Sequence, residues 1–127
     1  MKRLAGGFVI LVAIAHLGFL VLEMFFWDHA VGREIFAMTP EQSAFSAVLA
    51  ANQGLYNGFL AAGLLWGLLA GKRDVQVFFL LCVVVAGLFG GMTAKSTILF
   101  TQALPGGIAL VLVLSSRAKA PPRHGDP

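Results

Sequence analysis

The sequence predicts an all-α protein, a bundle of four transmembrane helices with both termini in the cytoplasm. The 127 residues are 58% hydrophobic and only 12% charged, with a mean hydropathy of +0.86. A soluble domain carries about 25% charged residues. Four apolar runs approach the ~20 residues that a helix needs to cross a bilayer, and they lack the alternation of barrel strands. Basic residues are concentrated at alternate ends of these runs.

The first helix is predicted over residues 4–27 and carries two polar side chains in an apolar run. His16 and Glu23 are separated by nearly two full helical turns, so they share a face, and Trp27 continues the same stripe. His16 is expected near the middle of the bilayer and Glu23 near its outer boundary. Polar groups at such depths need partners or a function.

The second helix is predicted over residues 40–70, and its start is marked by a capping sequence. Thr39 is suited to cap the helix, Pro40 fits the first helical position, and Gln42 completes a capping box. A helix of this length measures ~46 Å, which exceeds the hydrocarbon thickness. Its first turns are therefore expected in the outer headgroup region.

A cluster of amides and one phenol in this second helix is the most unusual feature of the sequence. Its members, which cover an arc of about 140° on the helix, are Asn52, Gln53, Tyr56 and Asn57. The predicted topology places them in the outer half of the bilayer, level with the polar residues of the first helix. We therefore expect them to form one wall of an intramembrane pocket.

Glycines at intervals of four predict close helix packing. On the second helix one set follows the amide cluster and another lies toward the opposite side, and a further pair lies on the third helix, predicted over residues 75–92. These sets are Gly63, Gly67 and Gly71, then Gly54 and Gly58, then Gly87 and Gly91. The second helix is thus expected to be a central, two-sided element, and the glycine-rich faces suggest a homo-oligomer.

The fourth helix is predicted over residues 97–114 and is interrupted by a proline. Pro105 has no N–H, so the carbonyl of Thr101 loses its helical donor and the helix is expected to kink. Thr101 and Gln102 share a face with this proline, which makes them candidates for a polar pocket wall. Lys95 is expected at the outer mouth.

The distribution of basic residues predicts the topology. Nine Lys and Arg residues are present, and only Arg33 and Lys95 fall on the side opposite the other seven, which are Lys2, Arg3, Lys72, Arg73, Arg117, Lys119 and Arg123. This positive-inside bias predicts cytoplasmic N- and C-termini. A single transmembrane domain is expected over residues 1–116, followed by a disordered cytoplasmic tail at 117–127.

These motifs resemble a family of small bacterial four-helix membrane proteins that is known only as a domain of unknown function. The resemblance covers about residues 4–114 and is strongest in the run from Ala50 to Ala61, which contains Ala-Asn-Gln-Gly-Leu-Tyr-Asn-Gly. It implies the four-helix topology, a location in the bacterial inner membrane and a hallmark role for the polar positions. It supplies no activity. Gly106-Gly107 stands where an alanine would be expected.

The main functional hypothesis is a pocket in the outer half of the bilayer that binds or transforms a small or lipid-like molecule. Imidazole titrates near neutrality, so proton transfer is assigned to His16, with Glu23 orienting it and Tyr56 as a proton donor. The ligand-binding candidates are Asn52, Gln53, Asn57, Thr101 and Gln102. Simpler interpretations stay open: Glu23 at the outer interface or paired with Lys95, His16 as an interior histidine bonded to a neighbouring amide or carbonyl, and amides that only join helices.

Three other functions remain as alternatives, and the sequence does not decide whether the protein is an enzyme. One is an oligomeric transporter subunit, based on the membrane carboxylate of Glu23. Another is haem binding through His16, based on a weak similarity of the second helix to haem-dependent membrane epoxide isomerases, whose histidine is replaced here by Asn52 and Gln53. The last is an accessory subunit.

Other functional classes find no support in the sequence. His16 and Glu23 alone are too few ligands for a metal site. No basic stripe with interleaved aromatics indicates nucleic-acid binding. Cys82 is the single cysteine and lies in an apolar run, which is typical of a small core residue.

Overall fold

The computed structural model describes residues 1–116, which form five α-helices and one π-helical segment. The helices are α1 (Lys2–Phe25), α2 (Ala30–Phe36), α3 (Pro40–Leu69), α4 (Arg73–Thr93) and α5 (Leu104–Ser115), and the π-helical segment is Leu99–Ala103. Residues 1–116 contain no strand, which confirms the all-α prediction. The predicted tail at 117–127 lies outside the described residues.

Two elements were not foreseen in the sequence. The connection after α1 contains the short helix α2, for which the sequence predicted no helix. The fourth apolar run does not form one continuous α-helix, because it begins with the π-helical segment and continues as α5. Both differences affect the surroundings of the predicted polar residues.

The four long helices pack as a bundle in which each has two neighbours. α1 packs most extensively against α3 and also contacts α5, and α4 contacts α3 and α5. The π-helical segment packs against α4 as well. The core contains small and branched side chains from all four long helices, including Val9, Val12, Ala61, Leu64, Leu80, Val83, Ala109 and Val113.

The glycines of α3 are in contact with two neighbouring helices of the same chain. A Cβ at Gly54 would lie 2.7 Å from Met24 on α1, and one at Gly63 would lie 2.3 Å from Phe79 on α4. Gly58 likewise faces α1, and Gly67 faces α4. α3 is therefore a two-sided element, and its glycines allow both neighbours to approach closely.

The ends of α3 are fixed by local hydrogen bonds. Thr39 Oγ1 accepts from the Gln42 N–H and Gln42 Oε1 accepts from the Thr39 N–H, which confirms the predicted capping box. At the other end Gly71 has a φ of +65°, and the Lys72 N–H donates to the carbonyl of Gly67. This is the Schellman arrangement, in which glycine is favoured.

Two of the described helices, α1 and α4, are long and apolar enough to cross a membrane by length and composition. The segment Leu99–Ser115 is apolar but shorter. α3 has the required length, but its middle carries the amide cluster.

Ala37 should yield a stabilised variant, because it occupies a left-handed conformation with a φ of +51° at the end of α2. This conformation costs a residue with a Cβ about 1–2 kcal/mol, and glycine avoids the cost. We expect Ala37→Gly to raise the free energy of unfolding in detergent micelles by about 1 kcal/mol. Ala44→Gly, at an exposed helical position in α3, should lower it by about 1 kcal/mol. A loss of stability in both variants would contradict the assignment.

Substitutions at Gly87 and Gly107 provide a second matched pair of variants. A Cβ at Gly87 would lie 2.6 Å from the backbone nitrogen of Ala103, whereas nothing lies within 4 Å of one at Gly107. We expect Gly87→Ala to destabilise the bundle by about 1–3 kcal/mol, because α4 must move away from the π-helical segment. Gly107→Ala should be neutral or stabilising by up to about 1 kcal/mol. Thermal unfolding of both variants in micelles tests this difference.

Candidate functional site

A partly enclosed cavity lies between α1 and the segment that includes the π-helical turn. Its volume is about 170 Å³, and its polar lining comes from His16, Thr101 and Gln102. The remaining lining is apolar and consists of Leu11, Val12, Ala15 and Pro105. The structure thus brings together three of the predicted site residues, two of which come from the fourth apolar run.

His16 is the largest polar side chain in the interior, with 1% of its surface exposed. Its Nδ1 lies 2.8 Å from the carbonyl oxygen of Val12, one turn earlier on α1. Phe19 packs edge-on against the imidazole, with ring centroids 5.4 Å apart. The Nε2 atom is buried and has no hydrogen-bond partner among residues 1–116. Such unpaired buried groups are rare, because each forfeits a hydrogen bond.

The π-helical segment explains how Thr101 and Gln102 come to face α1. Pro105 cannot donate a backbone hydrogen bond, so the chain cannot continue an uninterrupted α-helix through it. The predicted kink takes the form of a wider turn, in which the Leu104 N–H donates to the carbonyl of Leu99. Gln102 Nε2 donates to the carbonyl of Val83 at 3.2 Å, which fixes this turn against α4. Single π-helical turns are frequent at functional sites.

A second polar contact joins α1 to α3 outside this cavity. Asn57 Nδ2 donates to Glu23 Oε2 at 2.7 Å and also to the carbonyl of Gln53 at 3.2 Å. The close approach at Gly54, whose Cβ would lie 3.1 Å from the Cβ of Glu23, brings the two helices together here. Neither Glu23 nor Asn57 lines the His16 cavity.

The other members of the amide cluster lie on the surface of the chain. Asn52 and Gln53 are exposed, and half of the Tyr56 side chain is accessible. They point away from the helix pair that encloses His16. The residues expected to line a single pocket are therefore divided among the His16 cavity, the Glu23–Asn57 contact and an exposed face of α3.

The end of the bundle that carries α2 contains polar contacts that the sequence did not reveal. Ser43 is fully buried, and its hydroxyl donates to Asp28 Oδ1. Arg33 Nη1 lies 3.0 Å from the same carboxylate oxygen. Lys95 Nζ donates to the carbonyl of Ile35 at 2.7 Å, so it caps the end of α2. The sequence signal that could have pointed to Ser43 was its position directly after the capping box of Thr39 and Gln42.

The described residues offer little to a metal or a haem. Within residues 1–116, no three His, Cys, Asp or Glu side chains are grouped to hold a metal ion. His16 Nε2 is chemically suited to bind haem iron. However, a cavity of about 170 Å³ is comparable with the ~150 Å³ engineered cavity that accommodates benzene. A haem macrocycle does not fit it in the observed shape.

The Glu23–Asn57 contact should be detectable in a double-mutant cycle. Asn57→Ala leaves the half-buried carboxylate without its donor, and hydrogen bonds to charged groups contribute about 1.5–3 kcal/mol. We expect Asn57→Ala and Glu23→Ala each to lower the unfolding free energy in micelles. The double variant should be less destabilised than the sum of the two, with a coupling of about 1 kcal/mol or more. Strict additivity would show that the two side chains act independently.

Comparisons with known proteins agree with the resemblance found in the sequence. Residues 10–114 match a family described as "Protein of unknown function (DUF1304)". An uncharacterized protein of Lactococcus lactis, YpaA, is 29% identical over 111 residues, which cover 84% of this chain and 91% of the relative. No solved structure matches.

Proposed function

The chain belongs to the DUF1304 family, whose description assigns no activity, so we propose its function from the site itself. We propose a multi-pass inner-membrane protein that binds a small or lipid-like molecule in the His16 cavity. The proposed protein crosses the membrane four times, with α1, α3, α4 and the Leu99–Ser115 segment as spans. Both termini are cytoplasmic. The His16 cavity lies near the middle of the bilayer and not in its outer half, because Leu11 and Val12 are on the cytoplasmic side of His16 in this topology.

The exposed surface supports a membrane location. Large apolar side chains point outward on every long helix, and Phe45 and Leu69 are 94% and 86% exposed. A soluble monomer rarely exposes contiguous apolar patches beyond a few hundred Å². With lipid as the solvent, these side chains need no further cover, and helices supply most of their own backbone hydrogen bonds.

The two tryptophans lie at two levels of α3 whose separation matches the thickness of the hydrocarbon core. Trp27 Nε1 donates to Ser46 Oγ at 2.9 Å near the outer end of α3, and Lys72 lies over the ring of Trp66 near the inner end. Ser46 and Trp66 are separated by ~30 Å along α3 at 1.5 Å per residue. The hydrocarbon core has a thickness of about 30 Å, and Trp side chains favour its boundaries.

The single observation that carries the binding proposal is the unpaired Nε2 of His16 in a residue that lines a cavity. An isolated polar atom in apolar surroundings lowers stability by about 1–3 kcal/mol relative to a satisfied one. Leucine would fill the position of His16 without an unpaired polar atom, so packing alone does not require a histidine there. A bound molecule that pairs with Nε2 removes the penalty and gives the histidine a role.

The binding proposal predicts a separation between stability and ligand retention. We expect His16→Leu to fold in micelles at least as stably as the parent protein, because it removes an unpaired buried acceptor. We also expect it to lose a small molecule that co-purifies with the parent, measured by mass spectrometry of protein extracted in native lipid discs. His29→Leu, at an exposed position, should retain that molecule. Equal recovery from all three proteins would exclude the His16 cavity as the binding site.

A further inference from the structure

The hydrogen bond of His16 to its own helix indicates which chemistry the cavity accepts. We propose that the ligand is an uncharged hydroxyl compound that donates its O–H to His16 Nε2 and places an apolar ring or chain in the rest of the cavity. This inference rests on the proposed function, because it names the ligand class of the same site.

The polarity of Nε2 follows from the partner of Nδ1. The carbonyl oxygen of Val12 can only accept a hydrogen bond, so Nδ1, 2.8 Å away, must carry the proton. In a neutral imidazole the other nitrogen then has a free lone pair and accepts. Nε2 lies at the far end of the ring from the α1 backbone, where no donor among residues 1–116 reaches it. The missing partner is therefore a donor.

The surroundings favour a ligand without charge. No charged side chain of the described residues lines the cavity. The cations that could attract an anion are engaged at the helix ends: Arg73 donates to the carbonyls of Val113 and Leu114, and Lys95 to that of Ile35. A buried charge without a partner is far more costly than a buried hydroxyl with one. A carboxylate or phosphate therefore has no counter-charge in this cavity.

The volume and lining of the cavity indicate the size and the polarity of the rest of the ligand. Its volume of about 170 Å³ suits a group of about the size of benzene. Leu11, Ala15 and Pro105 present apolar contacts, and Thr101 and Leu11 are exposed at the mouth. A longer apolar chain attached to the bound group would thus leave the cavity directly into lipid. This pattern fits a phenol, a sterol-like ring alcohol or an alkyl alcohol as a class.

Phenol, anisole and benzoate test separately whether the ligand needs an O–H donor and whether it must be uncharged. They share a benzene ring, but anisole lacks the O–H donor and benzoate adds a charge. Binding is measured by ligand-observed NMR with protein in lipid discs, after subtraction of partitioning into empty discs. We expect phenol to bind the parent protein about 10-fold more tightly than anisole, the effect of one buried hydrogen bond. Benzoate should be the weakest.

Two variants test whether the preference for phenol over anisole depends on His16 Nε2. In His16→Leu the preference for phenol over anisole should fall to about twofold or less, whereas His29→Leu should keep it in full. If anisole and phenol bind the parent equally and His16→Leu weakens both, the cavity binds ligands but the donor class is wrong. If neither probe binds above the empty-disc level, the proposed function itself fails. Tightest binding by benzoate would overturn the uncharged class.

A second inference concerns the exposed polar face of α3, defined by Leu49, Asn52, Gln53 and Tyr56. We infer that this polar face pairs with the same face of a second copy of the chain. The side chains of Asn52, Gln53 and Tyr56 make no hydrogen bond within residues 1–116, and all are exposed. Measured along α3 from Ser46, they lie ~9–15 Å below the level of Trp27. Lipid chains offer no partner for an amide at that depth.

A second copy is the occupant that the geometry favours. The glycine faces of α3 are already covered within the chain, Gly54 and Gly58 by α1 and Gly63 and Gly67 by α4. The basic residues favour one orientation for every copy, so two parallel copies present the same amides at the same depth. Asn and Gln carry both donors and acceptors and are therefore self-complementary. Side-chain amides also join helices in membranes.

Disulfide trapping in liposomes tests the orientation and the face. In a Cys82→Ala background, Leu49→Cys lies on the polar face and Ala62→Cys lies on another exposed side of α3. We expect efficient cross-linking at Leu49→Cys and at least ~10-fold less at Ala62→Cys. Adding Asn52→Leu and Gln53→Leu should abolish the trapping, with carbonate extraction confirming that the variant is still membrane-inserted. Equal trapping at both positions, or a parent protein that is monomeric with bound lipid, would overturn the inference.

Discussion

The close approach of α1 and α3 is the contact on which the rest of the structure depends. Because Gly54 and Gly58 have no side chains, Leu20 and Met24 of α1 lie directly against the α3 backbone. This approach places Glu23 within reach of Asn57, and Trp27 within reach of Ser46. It also gives α1 a fixed rotation, so that His16 faces the interior while the opposite side of α1 faces outward. The Glu23–Asn57 and Trp27–Ser46 contacts therefore both depend on two missing Cβ atoms.

Side chains from neighbouring elements donate hydrogen bonds to backbone carbonyls, at the ends of α5 and α3 and within α4. Arg73 covers the last carbonyls of α5, Gln76 Nε2 donates to the carbonyl of Gly67, and Gln102 Nε2 to that of Val83. In an apolar environment an uncovered carbonyl would cost several kcal/mol. These bonds also fix the helices axially, since each joins one helix to a specific turn of another. Against this background the unpaired nitrogen of His16 is an exception.

Some of these features could be predicted from the sequence, and others could not. The helical class, the capping box at Thr39 and the family resemblance follow from composition, local spacing and a specific motif, which need no knowledge of neighbours. The sequence also singles out the polar residues within the apolar runs, and three of them, His16, Thr101 and Gln102, line one cavity. Helical periodicity gives the angles between side chains on one helix, but not which neighbour each side meets. For that reason Asn52 and Tyr56 could not be separated from Asn57 in advance.

The π-helical segment makes the architecture of the cavity sensitive to chain length. A π-helical turn holds one residue more than the α-helical turn it replaces, so losing one residue between Leu99 and Ala103 would restore regular α-helix. Each residue turns an α-helix by about 100°, and Thr101 and Gln102 would be carried away from His16 while α5 kept its packing on α4. Within one fold, the insertion or deletion of a single codon can thus open or close this cavity. Related chains that differ by one residue here would share the bundle without sharing the site.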